Sequence, residues 1–241
     1  MLVNSVGGEN IELYRQYRSG NTGGNYHAII YDIDELTDQF AFGIKKHPLS
    51  VKNFLRFART RFAASPKFAF LIGKAVTYNE YRMNENSPSD DKLNLVPTFG
   101  WPASDNILAS NDLSPVPAIF IGRLAAIRPE EVLLYLDKIK AYEQQQQSTV
   151  ETVDNKAWMK NVVHVVGSND LSLDGLLTGL MNGYRSIITD TLFGGNVFSF
   201  NRTTTGPETS ATDALMTQLF NNGISLLNYF GHSAATALTI I

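Results

Sequence analysis

The sequence predicts an α/β fold: two consecutive units of mostly parallel sheet, flanked by helices. Short apolar runs of strand length (Tyr26–Tyr31, Lys67–Gly73, Pro117–Gly122, Asn161–Val166, Ile224–Phe230) alternate with stretches of helical period. The runs are almost continuously apolar, as strands covered on both faces are. A polar connection, Ser148 to Lys156, divides the series, so residues 1–150 and 151–241 are expected to form the two subdomains.

Met1 to Ser5 is a short opening strand, and Asn10 to Arg18 has helical spacing through Ile11, Leu13, Tyr14 and Tyr17. Ser19 to Asn25 is a loop by composition. Tyr26 to Tyr31 reads as a strand opened by His27. Asp32 then caps a helix through Phe40, which Gly43 ends. Pro48 suits the first turn of the next helix, with Val51, Phe54, Leu55 and Ala58 on one face. After the Lys67–Gly73 strand, Lys74 to Pro117 reads as irregular, although the aromatics between Val96 and Asn106 are expected to pack. Pro117 to Gly122 is a strand. Pro129 opens a long helix with Glu130 and Glu131 at its positive end. Past the connection come a strand to Val166, a loop Gly167 to Asp170, and a helix Leu173 to Tyr184. Ser186–Thr189 and Asn196–Phe200 are strand candidates. Ser210 to Phe220 is a helix with Ala211, Ala214, Leu215, Gln218 and Leu219 as one face, and the strand Ile224–Phe230 follows.

The 241 residues are 44% hydrophobic and 18% charged, enough apolar content for a core. A net charge of -3 provides no basic field for nucleic acid. There is no Cys, so disulfides, thiolate metal sites and thiol nucleophiles are absent from these residues. The N-terminus lacks the pattern of a signal peptide, and no apolar run is long enough to span a membrane.

No phosphate loop, Gly-x-Ser-x-Gly elbow or His-Glu-x-x-His occurs. The four His are scattered and predict no metal or cofactor site; His164, between valines, is expected in the core. Acidic turns such as Ser89-Asp90-Asp91 leave structural calcium open but unassignable. Gly231-His232 ends an apolar run. In a parallel strand it lies at the carboxyl end, where open α/β sheets place ligand sites. The residues alone fit that reading and an ordinary strand end with a surface His equally in kind, and the latter is commoner.

Several blocks, in order, resemble the gingipain-like cysteine peptidases. They are Tyr31-Asp-Ile-Asp-Glu-Leu-Thr-Asp-Gln-Phe-Ala-Phe-Gly43 with Ser50–Leu55; Phe68–Gly73; Pro117-Ala-Ile-Phe-Ile-Gly-Arg-Leu124 with Lys138–Glu143; and Trp158 before the Val-rich strand. Asn222-Gly-Ile-Ser-Leu-Leu-Asn-Tyr-Phe-Gly-His232 resembles the strand that carries that family's catalytic His.

The resemblance implies a caspase-like fold of two α/β subdomains, the second incomplete here. It makes His232 the general base for a Cys expected beyond residue 241. The Ser233 backbone N–H would be an oxyanion donor, and Asn169 or Asp170 the residue assisting the His. Gly231 and Asp174 are substrate-side candidates. Ser233 stands where the Arg-specific gingipains have Gly, and Lys74 where an Asp is common. These departures point toward the relatives that act as type IX secretion sortases. Protein or peptide substrates, type IX secretion components as partners and an exported, cell-surface location are what the resemblance implies. An inactive peptide- or partner-binding module on the same fold is the alternative.

Overall fold

The computed structural model describes residues 1–85, 87–111, 114–148, 150–168, 170–201, 210–231, 233–234 and 237–238. They fall into two units, Met1–Gln144 and Gln145–Ile241.

In the first unit the strands are β1 (Leu2–Asn4), β2 (Ile30–Asp32), β3 (Phe68–Ile72) and β4 (Phe120–Leu124). Its helices are α1 (Glu9–Ser19), α2 (Ile33–Phe40), α3 (Leu49–Arg61), α4 (Tyr78–Met83), α5 (Pro88–Leu93), α6 (Asp105–Ala109) and α7 (Pro129–Ser148), the last running past the unit boundary. The sheet order is β2-β1-β3-β4, and every pairing is parallel. Successive strand residues face opposite ways, and the core divides accordingly. Val3 and Leu71 pack with Ile33 and Leu36 of α2 and with Val51, Phe54, Leu55 and Ala58 of α3. Leu2 and Ile72 pack on the other face with Ile11 and Tyr14 of α1 and Val132 and Leu136 of α7. Asp32 caps α2 by accepting from Asp34 N–H at 2.8 Å.

The second unit has α8 (Val153–Lys156), β5 (Asn161–Gly167), α9 (Leu171–Ile188), β6 (Asn196–Asn201), α10 (Ser210–Asn222), β7 (Leu226–Gly231), β8 (Ser233–Ala234) and β9 (Ala237–Leu238). The three-stranded sheet β6-β5-β7 is wholly parallel, and β8 pairs antiparallel with β9. Val163, Val165 and Phe200 pack against Leu219 of α10, while Val166 packs against Leu177 and Met181 of α9. The expected α/β class with parallel sheets is thus present.

Several expected elements differ. The stretch 74–117 holds three short helices, α4, α5 and α6, and buries Val96 and Leu108. The strand expected from Tyr26 begins only at Ile30, leaving His27 exposed outside it. β4 starts at Phe120 and continues to Leu124. Ser186–Thr189 is the end of α9 and its cap, not a strand. On α10, Leu219 and Met216 turn inward, while Leu215 is 42% exposed.

Candidate active site

The carboxyl edge of the β6-β5-β7 sheet carries the residues of interest. β5 and β7 are in register to their last residues, Gly167 opposite Gly231. A Cβ on Gly231 would lie 1.9 Å from the Gly167 carbonyl oxygen. Only a glycine permits this backbone approach, a reason for glycine at a strand end that owes nothing to flexibility. His232 follows Gly231 in sequence and, like Asn169, lies outside the described residues. Ser233 opens β8, opposite Leu238 of β9.

The loop leaving β5 is held by polar contacts. Ser168, 1% exposed, donates its N–H to Asp174 Oδ1 at 2.7 Å. Its hydroxyl donates to the Asp170 carbonyl at 2.8 Å and accepts from the Asp170 N–H at 3.0 Å. Asp170 is the N-cap of α9, its Oδ1 accepting from Ser172 N–H at 2.8 Å and Leu173 N–H at 3.4 Å. An N-cap carboxylate satisfies helix amides that have no partner within the helix. Asp174 lies half-buried in the first turn, where the helix dipole favours an anion. The sequence suggested a turn or a site loop at Ser168-Asn169-Asp170. It did not single out Ser168, whose role as the buried hub of the loop comes from contacts no motif encodes.

Grooves open on each unit. One, of about 660 Å³, runs between Met181, Tyr184 and Ile188 of α9 and Leu227 to Phe230 of β7. The other, of about 370 Å³, is polar and lies in the first unit beside Lys45, Tyr81, Arg82 and Asp91. Its charges are paired: Lys45 Nζ reaches Asp91 Oδ2 at 2.9 Å, the Tyr81 hydroxyl donates to Asp91 Oδ1 at 3.1 Å, and Arg82 pairs with Glu85. Ser89-Asp90-Asp91 lies within α5, capped by Ser87.

Of the other histidines, His47 accepts the Leu49 N–H at the start of α3 (3.1 Å), and burial with Arg82 nearby lowers its pKa. His164 is wholly buried in β5, and neither ring nitrogen has a hydrogen-bond partner. Burial, reinforced by Arg185, lowers its pKa. Among the described residues no three His, Cys, Asp or Glu are placed to hold a metal ion, and no helix is long and apolar enough to cross a membrane.

The fold is shared with solved cysteine proteinases. Over 99% of its length the chain is similar to the structure of the complex of Porphyromonas gingivalis RgpB pro- and mature domains, at a TM-score of 0.53 and 14% identity, covering 49% of that chain. It is similar to the Arg-specific cysteine proteinase gingipain R (RgpB) at a TM-score of 0.52 and 14% identity, covering 99% of this chain and 48% of that one. The chain therefore has a gingipain-like α/β architecture and spans about half the length of these structures. The pattern of peptidase family C25 matches residues 9–239, and the chain belongs to that family. No curated protein matches it.

Proposed function

We propose that these residues are the N-terminal portion of a cysteine endopeptidase, or of a type IX secretion sortase that cleaves and transfers a peptide bond. The observation that carries this reading is a C25 match running to residue 239 in a chain that contains no Cys. The nucleophile is then supplied by sequence outside the 241 residues. His232 takes the thiol proton, the thiolate attacks the scissile carbonyl, and the imidazolium returns the proton to the leaving amine. The Ser233 N–H stabilises the tetrahedral oxyanion; only Pro would lack that donor. Asn169 or Asp170 orients the imidazole. Gly231 stands on the substrate side in this reading. The substrates are proteins or peptides, and the site of action is the cell surface after export. A Ser after the His supports the sortase branch over an Arg-specific peptidase.

The test uses the gene product extended past Ile241. Peptide cleavage or transfer that iodoacetamide blocks, and that His232→Ala lowers by at least about 10³-fold, is the expected result. The 241-residue chain alone should not cleave. Cleavage by that chain, or an active His232→Ala variant, would sink the proposal. The absence of Cys also favours a second reading, an inactive peptide-binding module. In that case the extended protein binds peptide without turnover, and His232→Ala changes only affinity.

A further inference from the structure

Three features stand apart from what has been described. The groove along α9 and β7 is apolar, but nothing in the structure shows what covers it. The β1–α1 junction, Asn4 to Glu9, brings Gly7 and Gly8 at positive φ to a helix N-terminus, with no buried polar group aimed at a ligand. The β5–α9 loop is different, because the side chains of Ser168, Asp170 and Asp174 hold its backbone.

Asp174 reaches backward from the first turn of α9 to the amide of Ser168, the residue directly after the Gly167–Gly231 contact. The helix itself closes the same turn, Asp174 N–H donating to the Asp170 carbonyl at 2.9 Å. Ser168 then grips the backbone of Asp170 through its hydroxyl. These contacts fix Ser168 and Asp170 to each other and to α9. Asp170 holds a different part of the turn, its Oδ1 accepting from Ser172 and Leu173, so the Ser168 amide is braced from Asp174. With Ser168 1% exposed, water does not replace a lost acceptor without the loop moving.

We infer that Asp174 is a positioning residue. Through the Ser168 amide it holds the start of the β5–α9 loop against the strand end marked by the Gly167–Gly231 contact. The inference rests on the peptidase reading and gives Asp174 a role in geometry, in place of direct contact with substrate.

The experiment uses the extended protein with Asp174→Ala and Asp174→Asn, followed by steady-state kinetics across pH and amide hydrogen exchange. Asp174→Ala should lower kcat by roughly 10- to 100-fold, the scale of a misplaced catalytic group, while KM moves little. Exchange should quicken in the peptide containing Ser168. The acid limb of kcat/KM, which reports the base in the free enzyme, should shift. Asp174→Asn keeps an oxygen acceptor and should recover a large part of each change. Normal kcat and exchange in Asp174→Ala overturn the inference. So does a raised KM with kcat and exchange unchanged, in both variants, which is the signature of a substrate contact. If the unsubstituted protein shows no thiol-dependent turnover, the peptidase reading itself fails; turnover with unaltered exchange in Asp174→Ala is a failure of this inference alone.

Discussion

His164 illustrates how a single residue ties stability to pH. It sits in β5 on the same side as Val166, the side facing α9, by the alternation of the strand. Its ring is fully buried with both nitrogens unpartnered. Burial, then Arg185, holds its folded pKa below the ordinary value near 6.5. The native imidazole is therefore neutral, and the unfolded chain takes up the proton first as pH falls. Stability is complete above the unfolded pKa and declines as pH drops from about 6.5 toward the depressed folded value. Urea denaturation at pH 7.5, 6.5 and 5.5 should show that decline. His164→Leu should flatten it and leave the pH 7.5 midpoint equal or higher, because an apolar side chain of similar size removes two unsatisfied polar atoms. An unchanged pH slope in the variant would assign the effect to other groups, such as His47.

At the scale of elements, Arg123 organises the long connection between β3 and β4. Its Nε and Nη2 each lie 2.8 Å from an oxygen of Asp105, and Nη1 donates to the Gly73 and Val96 carbonyls at 2.7 and 2.8 Å. One planar guanidinium thus joins β3, β4, α6 and the segment before it, a geometry suited to Arg and not to Lys. Arg123→Ala should cost about 2–4 kcal/mol: less than a fully buried pair, since Asp105 keeps some contact with solvent, but with carbonyls orphaned as well. Arg123→Lys should recover only part. Urea midpoints measure the loss, and limited proteolysis within 74–117 should quicken in step. This region was also the least legible in the sequence. Helices of five or six residues, such as α4, α5 and α6, are too short to show a period. They exist because tertiary contacts hold them, and helices so short do not stand alone. Nothing in the sequence joined Asp105 to Arg123, since their pairing spans 18 positions. By contrast, α2, α3 and β5 were legible because cap, period and apolar run agree locally. Ile187 and Ile188 read as strand formers, but they continue the apolar period of α9 and the helix keeps them. At the site, the strand leading to Gly231 was readable from its apolar run, whereas the Ser168–Asp174 contact was not, being a backbone amide meeting a side chain six residues on.

Across the whole molecule, the two units differ in what their cores contain, and that difference sets an order of unfolding. The first unit closes both faces of its sheet: Val3 and Leu71 lie under α2 and α3, and Leu2 and Ile72 under α1 and α7. In the second, the described buried clusters are smaller: Val163, Val165, Phe200 and Leu219 on one face, Val166, Leu177 and Met181 on the other. Its helix α9 also exposes Leu176, Leu180, Tyr184 and Ile187, apolar area that contributes nothing to folding while it faces water. Stability scales with apolar area buried, and regions with fewer buried contacts open at lower free energy. In rising urea, the amides of Val163 and Val165 should lose protection from exchange before those of Leu71 and Ile72, so that the 241-residue chain unfolds in two steps. Residue-resolved hydrogen exchange, with circular dichroism for the overall transition, makes the comparison. A single coincident transition, or loss of β3 protection ahead of β5, would contradict it. If the proposed function holds, the extended polypeptide should also raise the protection of β5 above its value here, because the catalytic unit is the part that the additional sequence completes.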